Sequence, residues 1–167
     1  SEQIALIQPE AIAGLKLSAL TTSGIATLSN LQIQNLSSAQ LSSLTPSLQQ
    51  SLNSSQLQSL STAQIDKLNN SQISVFSTNQ INNLTTDQIS SLSTPKIQSL
   101  SVPQVSALSP SQVSAMTTNQ LASLSLAQVQ ALSTDDIAAI ATNNSQVLSI
   151  TSAQISTLSQ NTQQIST

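Results

Sequence analysis

The side chains of this chain that could do chemistry are a few carboxylates, three lysines and many hydroxyls. The carboxylates belong to Glu2, Glu10, Asp66, Asp87, Asp135 and Asp136. Asp135 and Asp136 form the only adjacent pair, which could bind calcium or transfer protons. Both also fall in the first turn of a predicted helix, where negative charge complements the helix dipole. We expect that structural role for the pair.

The chain has no histidine and no cysteine. Histidine is the commonest general base and metal ligand, and without it the serines have no partner that would activate them as nucleophiles. No glycine-rich phosphate loop and no metal-ligand spacing occurs. The sequence therefore predicts a protein that is not an enzyme and has no catalytic residues, no cofactor and no metal site.

Composition restricts the partners as well. Charged residues make up only 5% of the chain and the net charge is −3, with Lys16, Lys67 and Lys96 far apart in the sequence. Nucleic-acid binding requires a basic surface, so it is not expected. No apolar run reaches the roughly 18 residues of a membrane-spanning helix. A chain that starts at Ser1 and is poor in charge and rich in Ser, Thr and Gln predicts a processed or excised piece of an extracellular or bacterial cell-surface protein.

An eight-residue repeat sets the positions of these side chains. One aliphatic position recurs without interruption in fifteen octads that follow Leu20, at residues Leu28, Leu36, Leu44, Leu52, Leu60, Leu68, Phe76, Leu84, Leu92, Leu100, Leu108, Met116, Leu124, Leu132 and Ile140. A continuous α-helix would rotate this apolar stripe by about 80° per octad. On a strand, the two aliphatics of each octad would point to opposite faces. Neither long regular structure explains the period.

A short helix in each octad does explain it. The residue after the recurring aliphatic is Ser, Thr or Asn in all fifteen octads, as an N-cap requires, although Ser and Thr account for only 52 of 167 residues. Three positions later a glutamine completes a capping box in most octads. These glutamines are Gln32, Gln40, Gln56, Gln64, Gln72, Gln80, Gln88, Gln104, Gln112, Gln120 and Gln128. The five prolines fall at the first or second helical position, where no hydrogen bond is lost.

The predicted fold is therefore all-α, a solenoid of very short helices of one to two turns, one in each octad. Burying two aliphatics yields roughly 3–6 kcal/mol, whereas ordering eight residues costs about 8–16 kcal/mol. Each octad must therefore stack on others, with aliphatics inside and glutamine ladders at the corners. Two, three or four octads per coil all satisfy the pattern.

The regularity of the eight-residue repeat divides the chain into three parts, residues 1–20, 21–140 and 141–167. In the first part no glutamine precedes Ile12 or Leu17, and Leu17 and Leu20 arrive early. In octad 45–52, Leu48 and Gln49 are exchanged relative to the pattern. After Ile140 the repeat slips by two residues. The two ends are interpreted either as terminal repeats with looser corners or as docking ends, since uncharged apolar end faces favour stacking.

Octads such as LSTAQIDK, LTTDQISS, LSVPQVSA and LSLAQVQA resemble the L-[ST]-x-x-Q-[IV]-x-x arrays of very large bacterial secreted and surface proteins, which are often described as adhesin-like. The resemblance covers residues 20–140. It implies an extracellular, cell-surface or fibre-forming role and no particular site.

Three functions remain open from the sequence. The leading one is a structural protein that builds a filament, stalk or sheath, in contact with further copies head to tail or with neighbouring repeats of a longer chain. The second is an adhesin spacer or binding module whose hydroxyl rows, including Thr86, Thr94, Thr118 and Thr134, contact a glycan, a surface or ice. The third is a cross-β amyloid, since Gln- and Asn-rich repeats aggregate.

Overall fold

The computed structural model describes the backbone of residues 6–164, and the side chains of that range except Ser18, Asn144 and 159–164. It contains two 3₁₀ helices, η1 and η2, followed by seventeen α-helices, and no strand among the described residues. In chain order these elements are η1 Pro9–Gly14, η2 Leu17–Ala19, α1 Thr22–Ala26, α2 Asn30–Gln34, α3 Ser38–Ser42, α4 Pro46–Gln50, α5 Ser54–Ser59, α6 Thr62–Lys67, α7 Asn70–Ser74, α8 Thr78–Asn82, α9 Thr86–Ser91, α10 Thr94–Ser99, α11 Val102–Ser106, α12 Pro110–Ala115, α13 Thr118–Ala122, α14 Leu126–Gln130, α15 Thr134–Ala141, α16 Asn144–Ser149 and α17 Ser152–Gln164. The predicted all-α solenoid is confirmed.

Each helix starts where the octad predicts it, and α9 is representative. Thr85 is extended, with ψ of 161°, and its side chain accepts a hydrogen bond from the backbone N–H of Gln88. The Gln88 side chain in turn accepts from the backbone N–H of Thr85 at 2.9 Å. The helix ends at Ser91, because Leu92 returns to the extended region and precedes the next cap. The capping boxes of all eleven predicted glutamines are confirmed.

Three octads make one coil, so each helix packs on the helix 24 residues before it. The stacks define three faces. Face A consists of η1, α2, α5, α8, α11, α14 and α17. Face B consists of η2, α3, α6, α9, α12 and α15. Face C consists of α1, α4, α7, α10, α13 and α16. Three corners close each coil, so the chain turns by about 120° at each cap on average.

The interior is filled by the two aliphatics of each octad, as predicted. The aliphatic at the fourth helical position is fully buried through most of the array, for example Ile65, Ile73 and Ile81. The recurring second aliphatic is nearly as buried, and Phe76 and Met116 occupy its position in the same continuous core. The core is therefore a single apolar column along the solenoid axis.

The N-terminal coil is shortened rather than unfolded. Only Lys16 separates Leu17 from the Ile12 and Leu15 pair, and η2 fits the shorter unit with a single 3₁₀ turn. Ile12 and Leu17 are nonetheless fully buried. Gln40 still contacts this corner, since its Nε2 donates to the carbonyls of Ile12 and Leu15, both at 2.8 Å. The early arrival of Leu17 is thus a three-residue deletion inside a continuous stack.

The two-residue slip after Ile140 is absorbed by one helix. Ala141 stands where the preceding octads have a cap, and α15 accordingly extends to eight residues before Asn143 caps α16. Gln154 then reaches the carbonyls of Leu121 and Leu124 in the coil below, at 3.2 and 2.9 Å. The stack therefore continues on the C-terminal side of the slip.

Candidate functional site

The recurring polar feature of the solenoid is the buried glutamine at each corner. Gln88 is 2% exposed, and its Oε1 accepts from the cap N–H of Thr85. Its Nε2 donates to the carbonyls of Leu57 and Leu60, at 2.8 and 2.7 Å, in the coil below. One amide therefore completes a helix start and joins two coils. Sequence reasoning predicted the first role and a corner ladder, but not which carbonyls the amide reaches.

A second amide ladder runs on the outside in the opposite direction. It uses polar residues just after the buried fourth position, and each donates to a backbone carbonyl 25 residues later. Gln58 Nε2 contacts the Asn83 carbonyl at 3.1 Å, and Asn82 Nδ2 contacts the Ala107 carbonyl at 2.8 Å. Neighbouring coils are thus joined in both directions by Gln56 and Gln58 of α5 and by Gln80 and Asn82 of α8.

The first exception is the exchanged octad on face C. Leu48 occupies the corner, and the Thr45 cap has no reciprocal glutamine. Gln49 is buried in the aliphatic position at 1% exposure. Its Nε2 donates to the Gln72 carbonyl at 2.6 Å, while its Oε1 has no hydrogen-bond partner. The exchange places a polar group in the core and removes one from the corner.

Lys96 replaces the corner glutamine of α10, and the Ser93 side chain makes no cap hydrogen bond. The ammonium lies 3.2 Å from Asp66 Oδ1 in the coil below. The lysine side chain is 12% exposed and that of Asp66 is 42% exposed. Because solvent screens such a partly exposed ion pair, it contributes about 0–1 kcal/mol. It only partly replaces a three-bond glutamine corner.

Asp136 replaces the corner glutamine of α15. Its Oδ2 accepts from the Ser133 backbone N–H at 2.8 Å and from the Ser133 hydroxyl at 2.7 Å. The side chain is 1% exposed, and Oδ1 has no partner. The predicted first-turn position of Asp135 and Asp136 is confirmed. A carboxylate completes the cap but has no N–H to give to the coil below.

Charge is distributed unevenly over the three faces. All four described aspartates, Asp66, Asp87, Asp135 and Asp136, lie in octads of face B, as does Lys67. The octads of face A between residues 29 and 132 contain no charged residue. Face A instead carries the exposed aliphatics Leu31, Val102 and Leu126. The described aspartates are thus confined to one face, a distinction that the eight-residue repeat by itself does not show.

The four threonines proposed as a hydroxyl row lie on two different faces. Thr86 and Thr134 start α9 and α15 on face B, whereas Thr94 and Thr118 start α10 and α13 on face C. Thr94 and Thr118 belong to helices of consecutive coils, and packed helices lie about 8–10 Å apart. Each face therefore holds its own, more widely spaced hydroxyl row.

In the part of the chain that the structure describes, no helix is long and apolar enough to span a membrane. The same residues hold no cluster of three or more metal-ligating side chains. No family model, no curated protein and no solved structure matches the chain.

Proposed function

We propose that this chain is a non-enzymatic structural protein, a rod-like element of an extracellular filament, stalk or sheath. One observation supports it above all. Corner glutamines such as Gln56, Gln88 and Gln120 each join two coils and complete one helix start. The buried amides of the repeat thus hold adjacent coils together, and every added coil extends the same apolar column.

The extracellular location rests on composition and on the resemblance to surface-protein arrays. Hydroxyls and amides cover the outside in place of charges, and salt therefore has little influence on the rod. Cysteine is absent from the sequence, so neither its folding nor its stability depends on the redox state of the compartment.

Small-angle X-ray scattering of the purified chain tests the rod. A variant that lacks residues 61–84 loses one complete coil and keeps the register of the octads. We expect it to fold and to be shorter by about 8–10 Å, the spacing of packed helices, at an unchanged cross-section. A variant that lacks residues 61–72 loses one and a half octads, breaks the register and serves as the matched control. A full-length chain with a spherical scattering profile would contradict the proposal.

The alternative role, an adhesin spacer that binds a glycan, a surface or ice, needs a single hydroxyl face. Replacing Thr94 and Thr118 on face C by Ala should then abolish binding without unfolding, while replacing Thr86 and Thr134 on face B should not. Equal effects of the two pairs would indicate that no single hydroxyl row binds.

The sequence leaves two modes of assembly open. One is head-to-tail stacking of copies, and the other is contact with neighbouring octad repeats.

A further inference from the structure

The Asp136 corner differs from the glutamine corners in what it presents to the coil below. Gln112 holds the equivalent corner one coil earlier on face B. Its Nε2 lies 2.9, 3.2 and 2.6 Å from the carbonyl oxygens of Ile81, Asn82 and Leu84. The corner of α13 repeats these three distances. Three backbone carbonyls therefore converge on one point, which an amide N–H occupies.

Asp136 puts an oxygen in place of that N–H. Its Oδ2 takes over the cap, since it accepts from the backbone N–H and the hydroxyl of Ser133 at 2.8 and 2.7 Å. The other oxygen, Oδ1, then takes the direction of the glutamine Nε2. Because α15 packs on α12 as α12 packs on α9, the carbonyls on that side are those of Val105, Ser106 and Leu108, which precede Asp136 by the same 31, 30 and 28 residues as at the Gln112 corner.

The oxygens at this corner have no donor to bind. Asp136 is 1% exposed, and its Oδ1 has no hydrogen-bond partner. Among the hydrogen bonds of the described residues, none is accepted by the Leu108 carbonyl, whereas the equivalent Leu84 carbonyl accepts from Gln112 at 2.6 Å. Buried oxygens that face one another without a donor are a position for a bound water or ion.

The chemistry of the corner favours a bare cation. One carboxylate and three carbonyl oxygens are typical ligands of hard cations. Less than 1 Å² of Oδ1 is accessible to water, and a cation such as Ca²⁺ approaches its oxygens to roughly 2.3–2.6 Å, closer than a water molecule does. The corner holds a single buried negative charge, because the neighbouring Asp135 is exposed. A monovalent ion balances that charge, whereas a divalent ion would leave a buried charge uncompensated.

We propose that the Asp136 corner binds one alkali cation, Na⁺ or K⁺, through Asp136 Oδ1 and the carbonyl oxygens of Val105, Ser106 and Leu108. The ion does the work of the missing N–H and joins α15 to the coil below. Side-chain spacing in the sequence gave no signal of this site, since three of its four ligands are backbone oxygens. The proposal goes beyond the structural role of the rod and does not depend on it.

Thermal unfolding in different chloride salts tests the site. The full chain is compared in NaCl, KCl and choline chloride at about 0.15 M, so that the ionic strength and the screening of surface charges are equal. An ion that binds only the folded chain stabilises it. We therefore expect the unfolding temperature to be several degrees higher in NaCl or KCl than in choline chloride, and the better-fitting ion gives the larger rise.

Two results would overturn the proposal. Equal unfolding temperatures in all three salts would mean that no alkali ion binds, as when a water molecule or a proton lies between the oxygens instead. Stabilisation by CaCl₂ at the same ionic strength, with none by NaCl or KCl, would show that the argument from charge balance is wrong.

Two substitutions separate this site from general effects of the salts. Asp136→Gln restores the amide donor, and we expect this variant to unfold at the same temperature in all three salts. Asp135→Asn removes an equal charge from the exposed neighbour and should keep the difference between the salts. If Asp136→Gln retains the difference, or if Asp135→Asn loses it, the ion acts elsewhere and the proposal fails.

The site should also be transferable to a glutamine corner. Gln112→Asp places a carboxylate over the three carbonyls of its own corner, and Ser109 caps α12 as Ser133 caps α15. This variant should unfold at a lower temperature than the unmodified chain in choline chloride and regain part of the loss in the alkali salt that stabilises the unmodified chain. An equal loss in all three salts would contradict the assignment of the ligands.

Discussion

Replacing Gln88 by methionine removes one glutamine corner while keeping the volume of the side chain. Three hydrogen bonds are lost, from the Thr85 N–H and to the carbonyls of Leu57 and Leu60. Each hydrogen bond contributes about 0.5–1.5 kcal/mol, and the side chain is buried, so water does not replace them readily. We expect the free energy of unfolding to fall by about 3 kcal/mol.

Urea denaturation followed by circular dichroism at 222 nm measures this change. Gln98→Met is the matched control, because Gln98 is exposed on α10, and surface substitutions change stability by about 0.5 kcal/mol or less. Long repeat arrays depart from two-state unfolding, so amide exchange at Thr85 is measured as well. Equal stability of the two variants, with unchanged exchange at Thr85, would refute the account of the corner.

Three other substitutions should stabilise the protein, each measured as a rise in the urea midpoint. The double variant Leu48→Gln with Gln49→Leu restores the corner and removes a buried oxygen without a partner. We expect its free energy of unfolding to rise by about 2–4 kcal/mol. A fall in the urea midpoint would mean that the hydrogen bonds of the buried Gln49 amide are better satisfied than we argue. Asp136→Gln supplies the missing donor to the coil below, and we expect the free energy of unfolding to rise by about 1–2 kcal/mol. Asp136→Asn has a side chain too short to reach the carbonyls of that coil, and it should give a smaller rise. Lys96→Gln exchanges a screened ion pair with Asp66 for three hydrogen bonds, and we expect the free energy of unfolding to rise by about 2–3 kcal/mol. A loss of stability would show that the pair is stronger than its exposure implies.

The helices and the buried positions were predictable because their causes lie within one octad. A capping box joins residues three apart, as Thr85 and Gln88 do, and needs no tertiary context. The aliphatics on either side of the cap follow from the same register. The two-residue slip was visible in the sequence for the same reason, although its accommodation by a longer α15 was not predicted.

The effect of each departure from the repeat could not be predicted from the local pattern. Lys96 and Gln49 are visible departures from the repeat, but their partners, Asp66 and the Gln72 carbonyl, are 30 and 23 residues away. The buried, unpaired Oδ1 of Asp136 likewise exists only because a coil lies below it. A missing hydrogen bond at a corner can be recognised only when the carbonyls of the adjacent coil are known.

The sequence by itself determined that this is an array of short helices, one in each eight-residue octad, with an aliphatic interior, because the caps and the aliphatics on either side of them lie within one octad. Only the tertiary structure decided that three octads make a coil. Every octad carries the same pattern, so two, three or four per coil bury the same side chains, and the turn angle at the caps selects among them. That choice sets the 24-residue spacing, and with it the carbonyls that the corner glutamines reach and the face on which the aspartates lie.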